Sequence, residues 1–151
     1  MSNEAYLKLE KRFRRIGILR DVNEVLHWDN STMMPAGGGP GRSNQMAELS
    51  TISHSLICDT ETGDLLDEAE KNVTLGSWQK ANLTAMRSKW RHATALSEEL
   101  VLALSKASSK CETVWRSARA EDKFSMVLPY MENLLSLVRE CAQAKSEKLG
   151  L

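Results

Sequence analysis

Residue patterning points to an all-α fold, a bundle of about six helices with one Gly/Pro-rich loop. Three features carry this expectation. The 151 residues include only 8 Gly and 3 Pro, and most of these breakers crowd into residues 35–41. Elsewhere apolar residues recur at steps of three and four, the spacing that lines one face of a helix. Hydrophobic residues make up 42% of the chain and charged residues 26%, the balance of a folded globular chain. A mass of 16.9 kDa is one domain's worth of material, so residues 1–151 are read as a single helical domain. A β-sandwich or a doubly wound sheet would need far more turn residues than this sequence supplies.

The first helix follows from Tyr6, Leu9, Phe13, Ile16, Leu19, Val22 and Leu26, one apolar stripe with Lys, Arg and Glu filling the other faces. It should stop near Asp29. Residues 30–41 then hold Pro35, Gly37, Gly38, Gly39 and Pro40, which continue a helix only at a cost. They are expected to form the one irregular segment. A second helix is expected over about 42–57, with Met46, Leu49, Ile52 and Leu56 inward. The third spans about 61–72, with Asp59 or Thr60 as N-cap and Glu61 and Asp64 near the positive end of its dipole.

A fourth helix, about 77–96, places Trp78, Ala81, Ala85 and His92 along one side, while Leu83, Met86, Trp90 and Ala93 widen the stripe. Ser97 can cap a fifth, whose stripe is Leu100, Leu104, Ala107, Cys111, Val114 and Ala118. Ser125 can cap the sixth, which puts Pro129 in the first turn, where a missing N–H costs little. Met131, Leu134 or Leu135, Val138, Cys141 and Lys145 carry that helix to Gly150, a residue suited to end it.

Composition narrows the function classes. Twenty Lys+Arg against twenty Asp+Glu leave a net charge of zero, so no basic field exists to hold nucleic acid or an anionic membrane. No apolar run approaches the ~20 residues of a membrane span. The three cysteines, Cys58, Cys111 and Cys141, form no CxxC pair, which argues against a disulfide framework or a zinc ribbon. No signal-peptide pattern opens the sequence, and a cytoplasmic location is expected.

Catalytic motifs are sparse. His27, His54 and His92 form no H-E-x-x-H, the arrangement that sets two imidazoles and a base on one helix face. Glu24 and His27 make a single E-x-x-H, whereas a di-iron bundle needs two. No G-x-S-x-G occurs, and the glycine run lacks the Gly-Lys-Ser/Thr of a phosphate-binding loop. The cysteines read as small core residues, and the four tryptophans as core or groove residues rather than base-stacking platforms. At the end of the first helix, Asp29 is expected to bracket the turn and Trp28 to anchor it. A buried Trp28 would cost roughly 3–5 kcal/mol on truncation to alanine.

The junction carries a more specific signal. Trp28-Asp29-x-x-Thr32-x-Met34-Pro35-x-Gly37-Gly38, followed by Arg42-x-x-Gln45 and His54, resembles the N-terminal region of the carboxypeptidase Taq family of metallocarboxypeptidases. The similarity continues through Asn82-Leu83, Ala93-Thr94-x-Leu96-x-Glu98-Glu99-Leu100-Val101 and Trp115-x-x-Ala118-Arg119-Ala120-Glu121 to Phe124-Ser125 and Pro129. One departure is Ser97, where the family more often has proline; serine caps a helix equally well.

The resemblance implies a largely helical protein enclosing a deep groove, with the N-terminal helices as part of its wall or lid. It implies release of single residues from peptide C-termini, using zinc or cobalt held by an H-E-x-x-H helix downstream of the matched region. No catalytic or metal residue carries over, and no cofactor is expected in this chain itself. The loop motif (Trp28, Asp29, Thr32, Met34, Pro35, Gly37, Gly38, Arg42 and Gln45) carries over as structural or groove-lining. Two readings remain. In the first, the chain is the N-terminal domain of a longer carboxypeptidase, inactive alone, meeting peptide substrate only beside its catalytic body. In the second, it is a stand-alone, non-catalytic interaction or dimerisation module. A domain cut from a groove-shaped enzyme leaves open the apolar face that its missing body covered, and a symmetric homodimer through that face is expected.

Overall fold

The computed structural model describes residues 3–150. Its α-helices are α1 (Glu4–Thr32), α2 (Gly39–Cys58), α3 (Thr60–Glu70), α4 (Ser77–Ala93), α5 (Glu98–Ala120) and α6 (Phe124–Leu149). One 3-10 turn, Ala36–Gly38, precedes α2, and no strand occurs among the described residues. The all-α expectation therefore holds. No helix is long and apolar enough to cross a membrane among the described residues.

α1 lies on α2, α2 on α5, and α5 on α6, while α3 and α4 close the α1 end. α4 also touches α2 and α6. The main core sits at that end, where Tyr6 and Leu9 of α1 meet Leu65 and Leu66 of α3 and Leu83 and Met86 of α4. A smaller cluster of Cys111, Ala118 and Val127 joins α5 to α6. Gly63 allows the close approach of α3 to α4: a Cβ there would meet the Trp90 ring at 3.1 Å.

Several caps form as the residue types require. Asp59 Oδ1 accepts from the Glu61 N–H at 2.8 Å, and Ser97 Oγ accepts from the Leu100 N–H at 3.2 Å. Gly150 ends α6 in the left-handed region at φ 70°. Hydrogen bonds from its own backbone and from Ser97 hold the exposed Glu99 carboxyl below its ordinary pKa.

Four expectations need correction. α1 does not stop near Asp29 but continues to Thr32, because Thr32 Oγ1 donates to the Trp28 carbonyl at 2.7 Å and prolongs the last turn. The irregular segment shrinks from 30–41 to 33–35, since Pro40 falls in the first turn of α2, where its missing N–H has no intrahelical partner to lose. On α4, only Leu83, Met86 and Trp90 turn inward; Trp78 is 82% exposed and Ala81, Ala85 and His92 are exposed too. The narrow α3 covers one of the two apolar stripes and leaves the other in solvent. Finally, α6 begins at Phe124 with Lys123 at its N-cap, so Ser125 lies inside the helix. Pro129 then stands as its sixth residue, and the Ser125 carbonyl lacks an i+4 donor. Asp122 sets this start: at φ 53° it turns the chain so that the Lys123 N–H reaches back to the Ala118 carbonyl at 2.8 Å.

Candidate functional site

The residues of the junction motif gather where α1 gives way to α2. The carbonyls at a helix C-terminus carry partial negative charge and lack intrahelical donors. α1 has no basic residue in its own last turn. Neighbouring helices supply the cations instead. Arg42 of α2 pairs with the Asp29 carboxylate at 2.6 Å and donates to the Leu26 carbonyl at 3.3 Å. Arg116 of α5 donates to the Asn30 carbonyl and to Glu112, which in turn accepts from Ser31 Oγ at 3.3 Å. The Asp29 carbonyl receives the N–H groups of both Met33 and Met34, at 3.0 and 2.9 Å. Two arginines from two helices thus clasp the end of α1.

The sequence motif splits across this clasp. Asp29 and Arg42 meet directly, and Thr32 holds the Trp28 carbonyl. Pro35 accepts from the Gly38 N–H at 2.8 Å, closing the 3-10 turn, and Met34 packs so near Gly38 that a Cβ there would lie 2.9 Å from its Cγ. Gly37 faces open space, and Gln45 is exposed one turn along α2. Trp28 is not the buried anchor expected: it is 61% exposed, on the outer side of the clasp. Its neighbour Asp29 does the anchoring through charge, which frees the indole to face outward. Sequence reasoning missed Arg116, Glu112 and the buried Asn30, because nothing local links residues more than 80 positions apart.

Chemical competence is limited. Cys58 Sγ lies 3.5 Å from His54 Nε2, but that nitrogen also faces the Ala93 carbonyl at 3.1 Å, so its proton is committed there and it cannot act as base for the thiol. Burial, with Glu98 adding to it, pushes the Cys58 thiol above its ordinary pKa, the direction opposite to an activated nucleophile. Iodoacetamide at pH 8 is therefore expected to alkylate Cys58 several-fold more slowly than the same residue in urea-unfolded chain; equal rates would contradict the burial argument. Among the described residues, no group of three or more His, Cys, Asp or Glu is placed to hold a metal ion.

Known proteins resemble this chain in sequence and in fold. The family model for carboxypeptidase Taq (M32) metallopeptidases matches residues 8–150. The chain belongs to the M32 carboxypeptidase family. The thermostable carboxypeptidase 1 of Thermus thermophilus is 30% identical over 142 residues, which is 92% of this chain and 28% of that protein. The metallocarboxypeptidase 1 of Trypanosoma cruzi superposes with a TM-score of 0.74 at 33% identity, covering 96% of this chain and 29% of that one. The BsuCP crystal structure gives a TM-score of 0.89 at 21% identity, with 93% and 29% covered, and shares the fold. The chain thus spans under a third of the M32 carboxypeptidases it matches. M32 membership implies a metal in full-length members, yet the side chains among the described residues form no cluster that fits one.

Proposed function

We propose that this chain is the N-terminal helical part of a metal-dependent M32 carboxypeptidase, an enzyme that releases C-terminal amino acids from peptides. The observation that carries the reading is the mismatch of coverage: the family match takes in residues 8–150, while the same region is 28–29% of the relatives. Metal ligands and catalytic base then come from polypeptide beyond these 151 residues, which hold no H-E-x-x-H. The clasped end of α1, with Trp28 facing outward, serves as groove wall, and the clasp keeps that wall in register. Three free thiols support a reducing compartment such as the cytoplasm.

Denaturing immunoblot of source cells tests the assignment. A band several times heavier than 16.9 kDa is expected, together with no release of C-terminal residues by the 151-residue chain in zinc or cobalt. A band at the chain's own mass, or hydrolysis with one equivalent of bound metal, would overturn it.

A further inference from the structure

The start of α2 lies against the middle of α5, where a Cβ placed on Gly39 would stand 3.9 Å from Thr113 Cγ2. Between the two helices runs a cleft of about 330 Å³. Ser43 and Asn44 line it from α2, and Lys106, Ser109 and Lys110 from α5. None of the residues that clasp the end of α1 takes part.

Three sources of positive charge meet at this cleft, and no acidic residue lines it. Lys106 and Lys110 stand one turn apart on α5, a like-charge spacing that destabilises a helix. Neither enters an ion pair among the described residues, and the Lys110 Nζ sits 5.8 Å from the centre of the Tyr130 ring. The N-terminus of α2 adds the partial positive charge of its dipole. Its first turn holds no acidic residue, and no side chain caps it.

Ser109 marks the cleft as a place for a ligand. This residue is 4% exposed, yet its hydroxyl enters no hydrogen bond among the described residues. Thr113, one turn on, donates its own hydroxyl to the Ser109 carbonyl at 2.9 Å and is not the missing partner. Buried hydroxyls seldom stay unpaired, because the hydration they give up then goes uncompensated. An oxyanion in the cleft would accept the Ser109 hydroxyl beside both ammonium groups.

The donor set selects the chemistry. Two ammonium groups balance a dianion. Donors stand on both walls, which suits the tetrahedral oxygens of a phosphoryl group better than the planar pair of a carboxylate. Pro40, in the first turn of α2, has no N–H, so side chains rather than a backbone cradle hold the anion. No aromatic side chain lines the cleft to stack a nucleobase.

We propose that the α2–α5 cleft binds a phosphoryl dianion, as free phosphate or a small phosphate monoester, between the Lys106 and Lys110 ammonium groups and the Ser109 hydroxyl. This site is independent of the peptidase assignment, which a failure to bind phosphate would leave intact.

Phosphorus NMR of the 151-residue chain, titrated with inorganic phosphate and separately with glycerol 3-phosphate, provides the test. Both resonances should shift saturably in the millimolar range or below, and acetate at equal ionic strength should not compete. Lys106→Gln and Lys110→Gln should each weaken binding about tenfold. Ser109→Ala removes one oxygen and suits a helix, so it should weaken binding several-fold with an unchanged circular dichroism signal. Tighter binding of the ester assigns the cleft to a monoester, and equal or weaker binding assigns it to free phosphate. The absence of a saturable shift overturns the proposal, as does binding indifferent to the lysine variants. Binding that needs the lysines but ignores Ser109→Ala overturns it too, since surface charge alone would then hold the ion.

Discussion

Truncation of Leu66 to alanine is expected to lower the unfolding free energy by about 3 kcal/mol, whereas Trp28→Ala should change it by less than about 0.5 kcal/mol. Leu66 is fully buried on α3 at the meeting of α1, α3 and α4, where Leu9 is also fully buried and Tyr6 nearly so. Removing its isobutyl end both forfeits the transfer free energy and leaves a void that three helices must collapse to fill. This cluster is the larger of the two buried clusters, since the α5–α6 cluster has only three buried members. For a chain of this size the Leu66 variant should melt roughly 6–12 °C lower. Urea titration with circular dichroism compares the two variants directly. Equal effects would mean that the main core is not where the burial pattern places it, and a large Trp28 effect would mean that the indole is covered in solution, as by a second chain.

The contrast between these residues shows which features a sequence can carry. The all-α fold was legible because scarcity of breakers and steps of three and four are local properties. Caps at Asp59, Ser97 and Gly150 were legible for the same reason, each depending on one residue type beside a helix end. What failed was the choice of face. α4 carries more apolar positions than its neighbours can cover, and periodicity cannot say which stripe a partner helix will take. The α1 stripe, by contrast, turns inward at all but Val22. The start of α6 was hidden because Asp122, not a glycine, adopts the left-handed turn that sets it.

The candidate site was legible as a motif but not as a geometry. Asp29 and Arg42 lie 13 positions apart on different helices, so spacing alone placed them in one motif without saying that they touch. The Trp28 expectation fails because a large aromatic at a helix end reads as an anchor, when an ion pair anchors that end instead. Arg116 and Asn30 lay beyond reach altogether, for their contact exists only once α5 has folded against α2 and brought the Arg116 side chain to the end of α1.

Breaking the Asp29–Arg42 pair is the sharper test of the clasp. The two side chains are 30% and 19% exposed, and Asp29 is more sheltered than the acidic partners in the other interhelical ion pairs, those of Arg12 and Arg87, which are 44–66% exposed. Sheltered pairs lose less to screening, and removing one partner leaves the other poorly solvated. Asp29→Asn is therefore expected to cost about 1–2 kcal/mol, and Arg42→Gln somewhat more because the Leu26 carbonyl loses its donor as well. If the two residues act as one unit, the double variant should fall short of the sum by about 1 kcal/mol. That coupling should shrink in 0.5 M salt only in part, unlike a surface pair. Additive losses would reduce the contact to a surface ion pair, and the end of α1 would then owe its position to Arg116 and backbone capping. A measured coupling would instead give the junction motif a mechanical role, in which Asp29 and Arg42 hold the turn while Trp28 stays free to meet whatever lies beyond it.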